Sequence, residues 1–181
     1  LLKKMLRLVE IASNPFIFDN EYNHEPSKYQ YLIDIIDNIT SKSEKCIIWS
    51  NFIKNVEWLY RHLNEFNPVR IHGNLKIDDR NKFIEKFKSD KTCQLLIATP
   101  ASLKEGFTLT VANHCVFYDR SFSLDDYLQA QDRIHRISQE KECYVYNLIA
   151  QNTIDISLST LQGACAMNNT FVLGIFMILI Y

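Results

Sequence analysis

The chain lacks both glycine-rich loops that bind nucleotides in α/β proteins: neither G-x-x-x-x-G-K-[ST] nor G-x-G-x-x-G occurs in it. The first absence excludes a complete phosphate-loop nucleotide site, and the second argues against a Rossmann-type cofactor enzyme. Close cysteine pairs are missing too. Cys46, Cys93, Cys115, Cys143 and Cys165 stand far apart with no C-x-x-C, which speaks against a disulfide framework or a structural metal such as a zinc knuckle. Small buried hydrophobes are what such thiols usually are. Glycine and proline number only four each, too few for a fibrous repeat or a disordered chain. Neither sign of charge dominates. The 20 Lys and Arg face 21 Asp and Glu for a net −1, so binding to a polyanion has to come from a local patch.

Long apolar runs are absent as well. The stretch TFVLGIFMILIY at Thr170–Tyr181 has twelve residues, short of the ~20 that a membrane-spanning helix needs. It reads as a buried strand or hairpin, or as an aberrant end of the gene product. The opening Leu1-Leu2-Lys3-Lys4-Met5-Leu6 is basic and apolar, but no h-region or cleavage site follows it. Asn38-Ile39-Thr40 and Asn168-Asn169-Thr170 are then chance matches to a glycosylation acceptor. With no Met at position 1, the sequence reads as part of a longer intracellular protein. Such a protein would be cytoplasmic in a prokaryote or virus and nuclear in a eukaryote.

What is present suits one soluble domain: 181 residues, 47% hydrophobic and 23% charged. Lys45–Ser50, Gln94–Ala98, Asn113–Tyr118 and Glu142–Ile149, with a shorter Val69–His72, are rich in β-branched and aromatic residues. Several are apolar without alternation, as strands covered on both faces must be. Helical stripes lie between them. Tyr29, Leu32, Ile33 and Ile36 form one, opened by a predicted capping box of Ser27 and Gln30. Phe52, Val56, Leu59, Tyr60 and Leu63 form the next, and Ile77, Arg80, Ile84 and Phe87 a third. Asp78 and Asp79 sit in the first turn of that third helix, where its dipole favours them. Strands alternating with helices define an α/β fold with a mostly parallel central sheet and helices on both faces. Ligands of such sheets sit in the loops after the strands: residues 51–52, 72–74, 99–110 and 119–123.

The densest polar cluster is Gln129-Ala130-Gln131-Asp132-Arg133-Ile134-His135-Arg136-Ile137-Ser138-Gln139, behind a helix anchored by Leu124, Tyr127 and Leu128. Arg133 and Arg136 are three residues apart, so on one helix both guanidinium groups share a side. Two planar forks held that way suit a triphosphate and the charge that develops on transfer. Gln129, one turn earlier, could orient a water or bridge two lobes. The plainer reading is a solvated helix with pairs such as Asp132–Arg136, and taken alone this helix favours it. A second feature runs from Leu95 to Thr110: a buried strand, then small and hydroxyl residues around Gly106. Thr99, Ser102 and open amides there can bond phosphates without reading bases, or simply cap a helix.

In this order the segments resemble the second RecA-like lobe of superfamily 2 helicases, in the Swi/Snf-like branch. Cys46-Ile47-Ile48-Trp49-Ser50-Asn51-Phe52 is similar to motif IV, and Ile71-His72-Gly73-Asn74 with Arg80 and Phe87 to the segment after it. Residues 95–110 resemble motif V, although Ser102-Leu103-Lys104 stands where many members carry a glycine pair. Residues 129–139, with Asp119-Arg120-Ser121-Phe122 upstream, resemble motif VI, with Ser138 where glycine is commoner. The likeness covers roughly residues 5 to 158.

It implies a RecA-like three-layer lobe at 27–158, a lead-in from a first lobe at 1–26, and an atypical apolar tail at 159–181. It further implies ATP with Mg2+, both held mainly by that first lobe. Arg133 and Arg136 would be arginine fingers with Gln129 beside them, and Glu105, Gly106 and Asp132 would line the nucleotide cleft. Ser50, Asn51, His72, Gly73 and Thr99 would hold the backbone of double-stranded DNA. The parent would be an ATP-driven translocase. The competing expectation is a lobe that binds protein or nucleic acid and hydrolyses nothing.

Overall fold

The computed structural model describes residues 2–103, 107–166 and 174–180, with backbone alone for 162–166 and 174–177. Five strands follow the sequence-predicted segments: β1 Cys46–Trp49, β2 Val69–Ile71, β3 Leu95–Ala98, β4 His114–Phe117 and β5 Tyr144–Ala150. A sixth, β6 Gly174–Ile180, comes from the apolar tail and runs parallel to β5 from Tyr144↔Gly174 to Ala150↔Ile180. The order is β2-β3-β1-β4-β5-β6, with every pairing parallel. All strands therefore end on one edge.

The short strands need no alternation because both faces are covered. On one face Ile47, Trp49, Leu96, Ala98, Cys115 and Phe117 pack against the helices α4 Ile77–Ser89 and α5 Leu124–Gln131. On the other, Cys46, Ile48, Leu95, Ile97 and Val116 meet α2 Ser27–Thr40 and α3 Ile53–His62. Successive residues of one strand thus serve opposite cores. Cys46, Cys93, Cys115 and Cys143 are free and buried. Outside these layers α1 Leu2–Ser13 packs on α6 Ile154–Ala166, and the expected boundary at residue 158 falls inside α6.

Two local readings are corrected. α2 has no capping box, because its N-cap is Pro26 with no side-chain cap bond and Ser27 already lies in the helix. Burial of Lys28 and Tyr29 sets that register. The helix expected to carry both arginines ends earlier, at Gln131, with Asp132 as its C-cap. Ile134 turns into the core with no exposure, and the Arg133 carbonyl accepts the Leu109 N–H at 3.1 Å rather than a helical partner. Both contacts pull residues 132–139 into a turn.

Candidate nucleotide and nucleic-acid sites

The direction of strand order reverses between β1 and β4, the place where an open parallel sheet usually leaves a ligand crevice. Here the crevice is bridged from within. Asp119, after β4, is 1% exposed. Its Oδ1 accepts the Asn51 backbone N–H at 2.7 Å and the Asn51 side-chain amide at 3.0 Å. Its Oδ2 accepts the Ser50 hydroxyl and, at 3.1 Å, the Asn55 amide. The Ser50 oxygen accepts from Phe52 N–H and from Asn55, and the Asn55 carbonyl accepts from Asn14. Every partner of Asp119 is a donor, so the carboxylate is the form that satisfies them. Burial raises its pKa above the ordinary aspartate value, and the bonds from Ser50 and Asn51 oppose that rise.

Ser50 and Asn51, expected to meet DNA, thus lie on the carboxyl edge with these donors directed inward. His72, after β2, is 4% exposed. Its Nε2 is 2.7 Å from Glu57 Oε1, an oxygen that also accepts Arg70 Nε at 2.6 Å. Burial works against the Glu57 charge, but the His72 bond and the Arg70 charge outweigh it and lower the pKa. Thr99 is buried, its N–H on the Ile71 carbonyl at 3.0 Å and its own carbonyl 2.7 Å from the Ser102 hydroxyl. Ser102 therefore serves the β3 connection.

Gly73 differs from these four. It is exposed, its carbonyl accepts Arg80 Nη2 at 2.8 Å, and a Cβ built on it would meet nothing within 4 Å. Neither packing nor space in the free lobe demands glycine there.

The arginines form a separate group. Arg133 is 7% exposed, and its pKa is lowered by burial and then by the like charge of Arg136. Arg136 is half-buried, with Nη1 on Thr108 Oγ1 at 3.0 Å and Nε on the Asp132 carbonyl at 3.3 Å. Gln139 fastens the same turn, its Nε2 lying 3.2 Å from the Thr110 carbonyl, 2.9 Å from Ala112 and 3.0 Å from Ile134. Gln129 and Asp132 are exposed beside it. Glu105 and Gly106 lie outside the described residues.

The structure brings Arg133 and Arg136 together, and Ser50, Asn51, His72, Gly73 and Thr99 along one edge, but it keeps the two groups apart. The segment from Thr99 to Ala112 connects them, starting at the edge and ending bonded to the arginine turn. Sequence reasoning gave no role to Asp119, Asn55, Glu57, Thr108 or Gln139. Asp119, Thr108 and Gln139 lay inside the segments singled out above, whereas Asn55 and Glu57 carry no local signal.

A six-stranded parallel sheet with helices on both faces and polar loops gathered at its carboxyl edge defines a RecA-like lobe. Residues 27–138 match the family described as helicase conserved C-terminal domain, and the chain belongs to that family. It is the C-terminal lobe type of the Swi/Snf-like branch. It is 29% identical to human lymphoid-specific helicase over 149 residues, 81% of this chain and 18% of that protein. It is 30% identical to the Arabidopsis thaliana ATP-dependent DNA helicase DDM1 over 131 residues, 71% of this chain and 17% of that protein. The C-terminal part of the Fun30 ATPase domain superposes with a TM-score of 0.71 at 27% identity, covering 84% of this chain and 53% of that one. The Sulfolobus solfataricus SWI2/SNF2 ATPase C-terminal domain has the same fold, with a TM-score of 0.68 at 18% identity over 93% and 70% of the two chains. The chain spans less than a fifth of the length of these curated relatives.

Proposed function

We propose that this chain is the second motor lobe of an ATP-dependent translocase on double-stranded DNA. The observation that carries the reading is the arginine turn, bonded through Thr108, Thr110 and Ala112 to the segment that begins at the carboxyl edge.

Arg133 and Arg136 would act as arginine fingers on the phosphates of ATP, and their paired forks fit that charge. Bound ATP with Mg2+, held mainly by the first lobe, supplies the phosphoryl group that is hydrolysed. Gln129, Asp132, Glu105 and Gly106 would line the cleft between the lobes. At the other edge Gly73 would let a DNA strand approach the main chain, and Asn51 would line the same rim. Ser50, His72 and Thr99, being buried, would hold the loops in shape for it. Backbone contact without a reader of base edges suits movement along any sequence.

The chain alone, having no phosphate loop, is expected to release no phosphate from ATP above background, with or without duplex DNA. Clear DNA-stimulated turnover by the pure chain would overturn the division of labour between lobes. For the DNA edge the informative variant is Gly73→Ala. With open space around it, the fold should keep its stability to within about 1 kcal/mol. Fluorescence anisotropy should show weak binding that falls steeply as salt rises, and weaker still in the variant by the same factor on two unrelated duplexes. A strong preference for one duplex would mean that base edges are read and that this edge is misassigned.

A further inference from the structure

The Ser50 and Asn51 donors named above point inward onto Asp119, so the outward side of the β1–α3 loop belongs to other groups. Beside that loop runs a groove of about 490 Å3 between it and α1, with Arg7, Phe18, Asn51, Phe52 and Lys54 in its walls. Lys54 is exposed in the first turn of α3, and its Nζ donates to the Ile17 carbonyl at 3.1 Å. An ammonium has three hydrogens, so that bond leaves two for a ligand.

Arg7 stands on the α1 wall, its guanidinium 5.1 Å from the Phe18 ring centroid. The ring holds the guanidinium in place. The one acid in the groove wall is Glu10, with Oε2 3.7 Å from Arg7 Nε; the Arg7 side chain is 61% exposed. An exposed pair of this kind is weak, and a phosphate can displace it. Asp19, next to Phe18, uses its carboxylate to accept the Glu21 N–H at 2.9 Å. Lys3, one turn before Arg7 on the same side of α1, extends the basic stripe and is exposed. α3 follows the carboxyl end of β1 directly, so the positive end of its dipole faces the same edge.

We propose that this groove is a further phosphate-binding site for duplex DNA, continuous through Asn51 with the Gly73 rim and walled by Lys54 and Arg7. The inference rests on the DNA reading above and extends it to α1, a part of the chain outside the family match. A chain with no net basic charge can still hold a polyanion here, because the contact draws on two or three local cations.

The test is anisotropy of the full chain on a labelled duplex across a salt series. It compares the parent sequence with Lys54→Ala, Arg7→Ala, the double variant and Lys54→Arg. Lys91→Ala is the control, since Lys91 is exposed but precedes β3 at the opposite edge of the sheet. Each alanine should reduce the slope of log affinity against log salt by about one, and the double variant by about two. Lys54→Arg and Lys91→Ala should bind like the parent. Inorganic phosphate at matched ionic strength should displace the duplex no better than chloride. If the double variant binds with an unchanged slope while the parent binds DNA, the groove assignment falls and the wider reading survives. If the parent sequence does not bind duplex at all, both fall. Preferential displacement by inorganic phosphate would make this a small-anion pocket, and that too overturns the proposal.

Discussion

Arg136→Ala in the longer, two-lobed protein is expected to lower DNA-stimulated ATP turnover by a factor of about 10³–10⁵, with ATP binding largely retained. A finger acts on charge that appears in the transition state, so its loss falls on kcat more than on KM. The Arg136 guanidinium is already aimed by Thr108 and the Asp132 carbonyl at 3.0 and 3.3 Å. Those bonds use part of its five-donor fork and leave the rest for phosphate oxygens. Lysine cannot reproduce that fork, so Arg136→Lys should be nearly as damaging. Steady-state kinetics with a separate nucleotide-binding measurement would decide. A loss below about tenfold in both variants removes Arg136 from the chemistry.

Asp155→Ala is expected to destabilise the lobe by about 3–5 kcal/mol, a large part of the 5–15 typical of a whole domain. Lys28 is fully buried, with its Nζ 2.5 Å from Asp155 Oδ2 and 3.0 Å from the Tyr118 carbonyl. The same Asp155 oxygen accepts the Ala150 N–H at 3.1 Å. Alanine would strand an ammonium and an amide in the interior, where an unpaired charge costs far more than a broken surface pair. The pair joins α2 to α6 at the ends of β4 and β5, so its loss loosens several elements together. Urea denaturation with the slope held fixed measures the effect. The double variant Lys28→Met with Asp155→Leu should recover most of it, because two matched apolar side chains leave no charge behind. A single-variant loss under about 1 kcal/mol would mean that solvent reaches the pair.

The alternation of apolar runs with helical stripes was enough to place five of the six strands to within two residues at either end. That information is local: a strand covered on both faces must be apolar throughout, and a helix on a sheet must be striped. The arginine cluster and the carboxyl-edge loops were legible for the same reason, since each is a contiguous stretch. Tertiary contacts decided the rest. α5 ends at Gln131 because Ile134 and the Arg133 carbonyl find partners elsewhere in the chain, which no helical pattern reveals. Ser50 and Asn51 turn inward because Asp119, 68 residues beyond Asn51, brings two acceptor oxygens between β1 and β4. The apolar tail becomes a strand by pairing with β5, where its composition alone left open a buried strand or hairpin and an aberrant end of the gene product. Nothing in the sequence sets Lys28 apart from the other lysines, and only the fold brings it to Asp155, 127 residues away. Periodicity reports which face of an element is buried; it carries no information about which distant polar group will be waiting there.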